Sequence, residues 1–188
     1  DYGAYQHIID GCDNSIQVGD FGIGFVNDGF ERTESHRFIR GNHDDPGKCK
    51  DNRFWIPDGT NHAGFFCVGG GFSIDRAWRT EGKSWWPDEE LSQVEMYKIL
   101  DDYEKIKPDY VISHEGPGDV IERMFHDKTL MKPFSRTSQM LDAMFFIHQP
   151  KVWFFGHWHE SRHYILNQTD FVCLGINAYT DIDIDTGH

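Results

Sequence analysis

The chain has 188 residues, a length that fits one domain with a well-developed core better than two. Its formal net charge of −13, from 31 acidic and 18 basic side chains, disfavours binding to long nucleic acid because an acidic surface repels a polyanion. No stretch approaches the roughly 18 uncharged apolar residues of a membrane helix, and the cysteines are spread singly, so we expect a soluble cytoplasmic protein with reduced thiols and no membrane partner.

The first half of the chain alternates short apolar segments with loops rich in glycine and polar side chains. Apolar residues at helical spacing predict a helix over residues 2–12. Short apolar runs predict strands over residues 15–18, 38–40 and 65–68. Each strand runs directly into a loop: Gly19-Asp20 after the first, Gly41-Asn42-His43-Asp44 after the second and a run of glycines after the third.

The second half continues the alternation of helices and strands. Pro87 and the acidic residues after it are typical of a first helical turn and predict a helix over residues 87–107. A further helix is predicted over residues 138–148, and strands over residues 110–113, 152–155, 163–166 and 171–174. Because strands alternate with helices, we expect a single α/β or α+β domain over residues 1–180, followed by an acidic tail at 181–188.

Four of the predicted strands end in loops that carry aspartate, asparagine or histidine. Because ligands of open α/β sheets bind at the carboxyl ends of the strands, we expect these loops to converge. Together they offer one carboxylate, one amide oxygen and several imidazoles, from Asp20, Asn42, His114, His157 and His159. Oxygen and nitrogen ligands without thiolate suit Mn, Fe, Zn, Co or Ni better than Ca or Cu(I), so the pattern predicts a site for a divalent metal.

Two further side chains of these loops have a predicted role that needs no bond to the metal. His43 is placed to donate to a reacting oxygen or to protonate a leaving group. Its neighbour Asp44 is predicted to fix the tautomer of that imidazole.

Four motifs in order resemble those of the calcineurin-like metallophosphoesterase family: Gly19-Asp20, Gly41-Asn42-His43-Asp44, His114 and Gly156-His157-Trp158-His159. The resemblance covers residues 15 to about 177. It implies a layered β-sandwich flanked by helices, and hydrolysis of a phosphate monoester or diester by metal-activated water with two divalent ions. Residues 15–20 and 69–90 are also similar to small phosphatase-like proteins encoded by tailed phages, which suggests a viral origin and the host cytoplasm as location.

The resemblance also implies a role for each motif residue. One metal site is completed by three side chains, Asn42, His114 and His157. Asp20 bridges both metals, and His159 belongs to the second site. His43, oriented by Asp44, is the acid that assists the departing oxygen.

The family's first motif, Asp-x-His-Gly, supplies two more ligands of the second metal and is absent from this sequence. We expect it on a strand that precedes residue 1, because the predicted helix already starts at about Tyr2 and a sheet of this kind needs a strand before that helix. The alternative alignment places Tyr2-Gly3 over His-Gly and would remove the second metal site.

The segment over residues 69–87 is rich in tryptophan and basic side chains in an otherwise acidic chain. In one interpretation it forms a rim over the metals, in which Arg76 or Arg79 holds a phosphate. In the alternative, the arginines pair with nearby acids, and Trp85 and Trp86 pack against the following helix. The compact rim and the acidic surface together favour a small phosphorylated substrate.

Two other functions stay open at this point. The first is a non-catalytic metal-binding module that uses the same fold to bind protein partners, which gains weight if the Asp-x-His-Gly motif is truly missing. The second is a nuclease that acts on the ends of nucleic acids.

Overall fold

The computed structural model describes residues 2–25, 33–127 and 135–183, so the last part of the predicted acidic tail lies outside the described residues. The helices are α1 (Tyr2–Ile9), α2 (Pro46–Lys50), α3 (Gln93–Ile106), α4 (Gly118–Met124) and α5 (Arg136–Ile147), with a short 3₁₀ turn at Arg76–Trp78. The strands are β1 (Ser15–Gln17), β2 (His36–Phe38), β3 (Thr60–His62), β4 (Phe65–Val68), β5 (Tyr110–Ser113), β6 (Val152–Phe155), β7 (Arg162–Leu166) and β8 (Thr169–Cys173).

The strands form two sheets. β1 and β2 pair in parallel, and the other strands form a six-stranded sheet in the order β3-β4-β5-β6-β8-β7. Strands β4, β5, β6 and β8 are parallel, whereas the edge strands β3 and β7 run antiparallel to their neighbours. The carboxyl ends of β5 and β6 therefore lie at the same edge, and the loops carrying His114 and His157 both start there.

The two faces of the large sheet are covered by different layers, because successive side chains of a strand point to opposite sides. One face, with side chains such as Cys67 and Ile112, packs against Ile16 and Val18 of the β1 segment. The other face, with Phe66, Val111, Trp153 and Phe171 among its side chains, packs against helices α3, α4 and α5. The structure is thus a layered α/β domain, and it confirms the predicted fold class.

Some predicted elements have different bounds in the structure. The strand predicted over residues 38–40 is observed at His36–Phe38, and the helix predicted from Pro87 begins only at Gln93. Ser92 and Glu95 form a capping box, which satisfies the backbone amides at the start of α3 and sets its beginning. Val94 and Tyr97, two of the apolar residues at helical spacing in this segment, are nevertheless 79% and 69% exposed.

Three short elements were not predicted: α2, β3 and α4. Helix α2 has only five residues and begins with proline, and its cap is Asp45, whose carboxylate accepts from the amides of Gly47 and Lys48.

No helix in the described ranges combines the length and apolar character that a bilayer span requires.

Candidate metal centre

Side chains from separate strand-end loops meet at one point beside the large sheet. His114 Nε2 lies 3.0 Å from the amide oxygen of Asn42, and His157 Nδ1 lies 2.9 Å from the same oxygen. The two imidazole nitrogens are 3.2 Å apart, and Asp20 Oδ1 is 3.4 Å from His114 Nε2. The structure therefore brings together Asp20, Asn42, His114 and His157, which we call the donor cluster.

The backbone around the donor cluster is unusual. Asp20, His157 and His159 have φ angles of 60°, 65° and 62°, in the left-handed region that few residues other than glycine adopt. Gly41 is needed beside them, because a Cβ atom there would lie 2.1 Å from Asp20 Oδ1. Such strain persists only where the surroundings enforce it, and it is concentrated at functional sites.

Polar contacts on the far side of each imidazole determine which nitrogen faces the donor cluster without a proton. His114 Nδ1 lies 2.8 Å from the carbonyl oxygen of Val18 and donates to it, so Nε2 carries a lone pair. His157 Nε2 lies 3.3 Å from a carboxylate oxygen of Glu115, which leaves the lone pair on Nδ1. Burial lowers the pKa of His114, more than the neighbouring Asp20 carboxylate raises it, so this imidazole is neutral near pH 7.

The donor cluster consists of acceptors that face one another. The Asn42 oxygen and both imidazole lone pairs have no proton between them, an arrangement that a cation satisfies and a hydrogen bond does not. Ligands bound at about 2.1 Å to one ion are about 3.0–3.4 Å apart, which matches the separations in the structure. Among the described residues, no three histidine, cysteine, aspartate or glutamate side chains form a metal-binding group by themselves. The amide oxygen of Asn42 is the further donor that lies close to both imidazoles. With that oxygen included, the residues fit a divalent cation.

His159 is not joined to the donor cluster. It is exposed and lines a cleft of about 1120 Å³ whose wall also includes Asp20, His114 and His157. Within the described ranges, no hydrogen bond or ion pair connects His159 to those three side chains. Four of the five predicted ligands therefore meet, and the fifth borders the same cleft.

Asp44 has a different role from the one predicted. Its buried carboxylate accepts from the backbone amides of Phe21, Gly22, Ile23 and Gly41, at 3.2, 2.6, 2.9 and 2.7 Å. No hydrogen bond in the described part of the chain joins it to the ring of His43, so the prediction that Asp44 orients this imidazole is wrong. The carboxylate ties the loop after β1 to the loop after β2 instead. Burial, followed by the charge of Asp20, raises the pKa of Asp44 to about 6.

His43 lies at the rim of the donor cluster. Its backbone amide donates to Asp20 Oδ1 at 2.9 Å, which holds the residue beside the cluster. Its Nε2 lies 3.3 Å from the Asn42 amide nitrogen and 3.4 Å from Arg79 Nη2, and because both are donors, Nε2 is the acceptor. Burial lowers the pKa of His43, and Arg79 acts in the same direction while Asp20 opposes it.

The two predicted phosphate-binding arginines have different surroundings. Arg79 forms a two-point ion pair with Asp75, at 2.6 and 2.7 Å, and its remaining nitrogen donates to the carbonyl oxygen of Ser84 at 3.0 Å. It is thereby held next to His43. Arg76 is exposed, lies 4.6 Å above the ring of Phe72, and forms no described hydrogen bond to the donor cluster.

The sequence analysis missed several buried residues that contact the predicted ligands. Glu115 faces His157 and also accepts from the indole nitrogen of Trp158 at 2.8 Å. Ser73 accepts from the amide nitrogen of Asn42 at 2.9 Å, and its hydroxyl donates to Glu89 at 2.6 Å. Only Glu115 had a signal in the sequence, since it directly follows a predicted ligand.

Comparison with known proteins agrees with the geometry of the site. No curated protein matches the chain. The family model described as calcineurin-like phosphoesterase matches residues 8–161, a range that contains every member of the donor cluster. Members of this family are generally hydrolytic phosphoesterases that use divalent metals. The match covers most of the 188 residues, and the chain therefore belongs to the calcineurin-like phosphoesterase family.

Proposed function

We propose that this protein hydrolyses a small phosphate ester with water activated by a divalent cation at the donor cluster. The observation that carries the proposal is the meeting of the Asn42 oxygen with the unprotonated nitrogens of His114 and His157, within 3.2 Å of one another. A divalent cation supplies a Lewis acid for a phosphoryl oxygen and lowers the pKa of a bound water. The buried imidazole of His114 is neutral near pH 7 and retains its lone pair for such an ion.

The number and identity of the ions are part of the same proposal. We infer two ions, with Asp20 shared between them and His159 as a ligand of the second, because both side chains line the same cleft. The expected ion is one of Mn, Fe, Zn, Co and Ni, since each accepts mixed oxygen and imidazole ligands. Metal content per chain in the purified full-length protein tests this count.

His43 and Arg79 are the side chains proposed to act on the substrate. The backbone contact of His43 with Asp20 holds its half-buried ring beside the donor cluster. Because Nε2 accepts from Asn42 and Arg79, the neutral ring carries its proton on Nδ1, and this is the proton proposed to assist the departing oxygen. Arg79 is held next to it by Asp75 and supplies a fixed positive charge for a phosphoryl oxygen. A cleft of about 1120 Å³ suits a small ester, and the net charge of −13 argues against long nucleic acid.

A substrate panel tests the proposal directly. The Mn²⁺-loaded full-length protein is incubated with p-nitrophenyl phosphate, bis-p-nitrophenyl phosphate, a cyclic nucleotide and labelled single-stranded DNA. We expect hydrolysis of at least one of the small esters and its loss in excess chelator. A metal-loaded protein that hydrolyses none of them would favour a non-catalytic metal-binding module, and hydrolysis of the DNA alone would favour a nuclease.

Replacing Arg79 with alanine is expected to lower kcat/KM for the preferred small ester by about 10–100-fold. The reason is the loss of a hydrogen bond to a charged group, which contributes about 1.5–3 kcal/mol. Arg76→Ala is the matched control, since Arg76 is exposed on the ring of Phe72. Equal rates for the Arg79 variant and the wild type would remove Arg79 from the substrate site.

A further inference from the structure

The Asn42 amide has two chemically opposite ends, and only one of them is able to bind a cation. The oxygen accepts, whereas the nitrogen donates. In the structure Oδ1 faces the imidazoles of His114 and His157 at 3.0 and 2.9 Å. If the amide were reversed, its nitrogen would donate to those imidazole lone pairs and occupy them. The orientation of this one side chain therefore decides whether the donor cluster is open to a metal.

A buried series of hydrogen bonds determines that orientation. Glu89 accepts twice from Ser73, from the backbone amide at 3.0 Å and from the hydroxyl at 2.6 Å. Because a carboxylate only accepts, the hydroxyl proton of Ser73 is committed to Glu89. Ser73 Oγ has only lone pairs left for Asn42, so the end of the amide that faces it at 2.9 Å must be the nitrogen.

Water is unable to replace Ser73 or Glu89 as a hydrogen-bond partner, because both of these residues and Asn42 are closed to solvent. Asn42, Ser73 and Glu89 are each 2% exposed. The backbone at Glu89 is itself anchored, since Arg40 donates to its carbonyl oxygen at 2.8 Å and pairs with Asp58 at 2.8 Å. The hydrogen bonds of Ser73 thus connect Asn42 to a rigid, buried support.

We propose that Ser73 and Glu89 are positioning residues that hold the Asn42 amide with its oxygen toward the metal site. The inference rests on the proposed function, since it requires a cation at the donor cluster. It assigns to the segment over residues 69–90 a role in preparing the metal site, in addition to the contact of Arg79 with His43. Side chains that orient a metal ligand in this way typically change metal affinity by about 10–100-fold.

Titration of the metal-free full-length protein with Co²⁺ tests the proposal without reference to activity. We expect Ser73→Ala to bind Co²⁺ about 10–100-fold more weakly than the wild type. Its visible absorption spectrum should become that of Asn42→Ala, because both variants lose the same oxygen ligand. The variant that combines Ser73→Ala with Asn42→Ala should bind Co²⁺ no more weakly than Asn42→Ala alone, as expected for two residues that act through one interaction.

Two further variants complete the experiment. Ser84→Ala is the matched control from the same segment, because Ser84 Oγ accepts from the amide of Thr80 and has no described hydrogen bond to Asn42. Glu89→Gln preserves the size of the side chain but places a donor toward Ser73, and it should weaken Co²⁺ binding like Ser73→Ala. Thermal unfolding of each metal-free variant shows that it is folded.

The outcomes separate this proposal from the proposed function. Wild-type Co²⁺ affinity and spectrum in folded Ser73→Ala and Glu89→Gln proteins would overturn the positioning role while the metal site itself stands. Failure of the wild-type protein to bind Co²⁺ would overturn both.

Discussion

Asp20→Asn is expected to lower kcat/KM for the preferred phosphate ester by about 1000-fold without unfolding the protein. The substitution removes the only negative charge of the donor cluster, and a loss of about 4 kcal/mol of transition-state stabilisation corresponds to that factor. The fold should tolerate it, because asparagine is among the residues that adopt the left-handed conformation observed at Asp20, with φ of 60°. Its amide oxygen also retains the contact with the backbone amide of His43.

The measurements for this variant are kcat/KM with Mn²⁺, the Mn²⁺ dissociation constant by calorimetry, and the melting temperature without metal. Asp45→Asn provides the matched control, since Asp45 caps α2 close to the site and asparagine caps a helix equally well. Activity within tenfold of the wild type in Asp20→Asn would mean that this carboxylate holds no catalytic ion.

The predictability of the fold depends on how each strand is buried. The strands at residues 65–68, 110–113 and 152–155 have the bounds that the sequence predicted, because strands buried on both faces consist of continuous apolar runs. By contrast, β3 consists of Thr60, Asn61 and His62 at the edge of the sheet, and no apolar pattern distinguishes it from a loop. Helix α2 is too short for periodicity to appear.

The donor cluster shows the same division between local and long-range information. Asp20, Asn42, His114 and His157 could be predicted because each lies in the loop that follows a strand, and the carboxyl ends of neighbouring strands meet. The interaction of Ser73 with Glu89 joins residues 16 positions apart within an irregular segment, and no spacing rule connects them. Hydrogen bonds of this kind depend on how the loops close, which only the tertiary structure determines.

Asp44 illustrates how a motif residue is misassigned when only its neighbours in the sequence are considered. Adjacent residues are able to share a function, so the position of Asp44 next to His43 favoured a histidine–carboxylate pair. In the structure its carboxylate accepts from the amides of residues 21–23, which precede it by more than 20 residues, and it forms no described hydrogen bond to the His43 ring. The observed hydrogen bonds join the loop after β1 to the loop after β2, and this contact leads to a different experiment.

Asp44→Ala is expected to lower the free energy of unfolding by about 3–5 kcal/mol, a large share of the 5–15 kcal/mol typical of a domain. The amides of Gly22, Ile23 and Gly41 would each lose a close acceptor inside the protein, and each such loss costs about 1–3 kcal/mol before water or local movement offsets part of it. Urea unfolding of the metal-free protein measures the change.

Asp45→Ala is the control that separates this effect from helix capping. It removes the neighbouring carboxylate, whose described hydrogen bonds only cap α2, so the free energy of unfolding is expected to fall by about 1 kcal/mol. If Asp44 acted chiefly on His43, its alanine variant would lose activity at a nearly unchanged free energy of unfolding. If the carboxylate joins the two loops, the same variant has a clearly lower free energy of unfolding. An Asp44→Ala protein as stable as Asp45→Ala would contradict the structural role and restore the histidine–carboxylate pair.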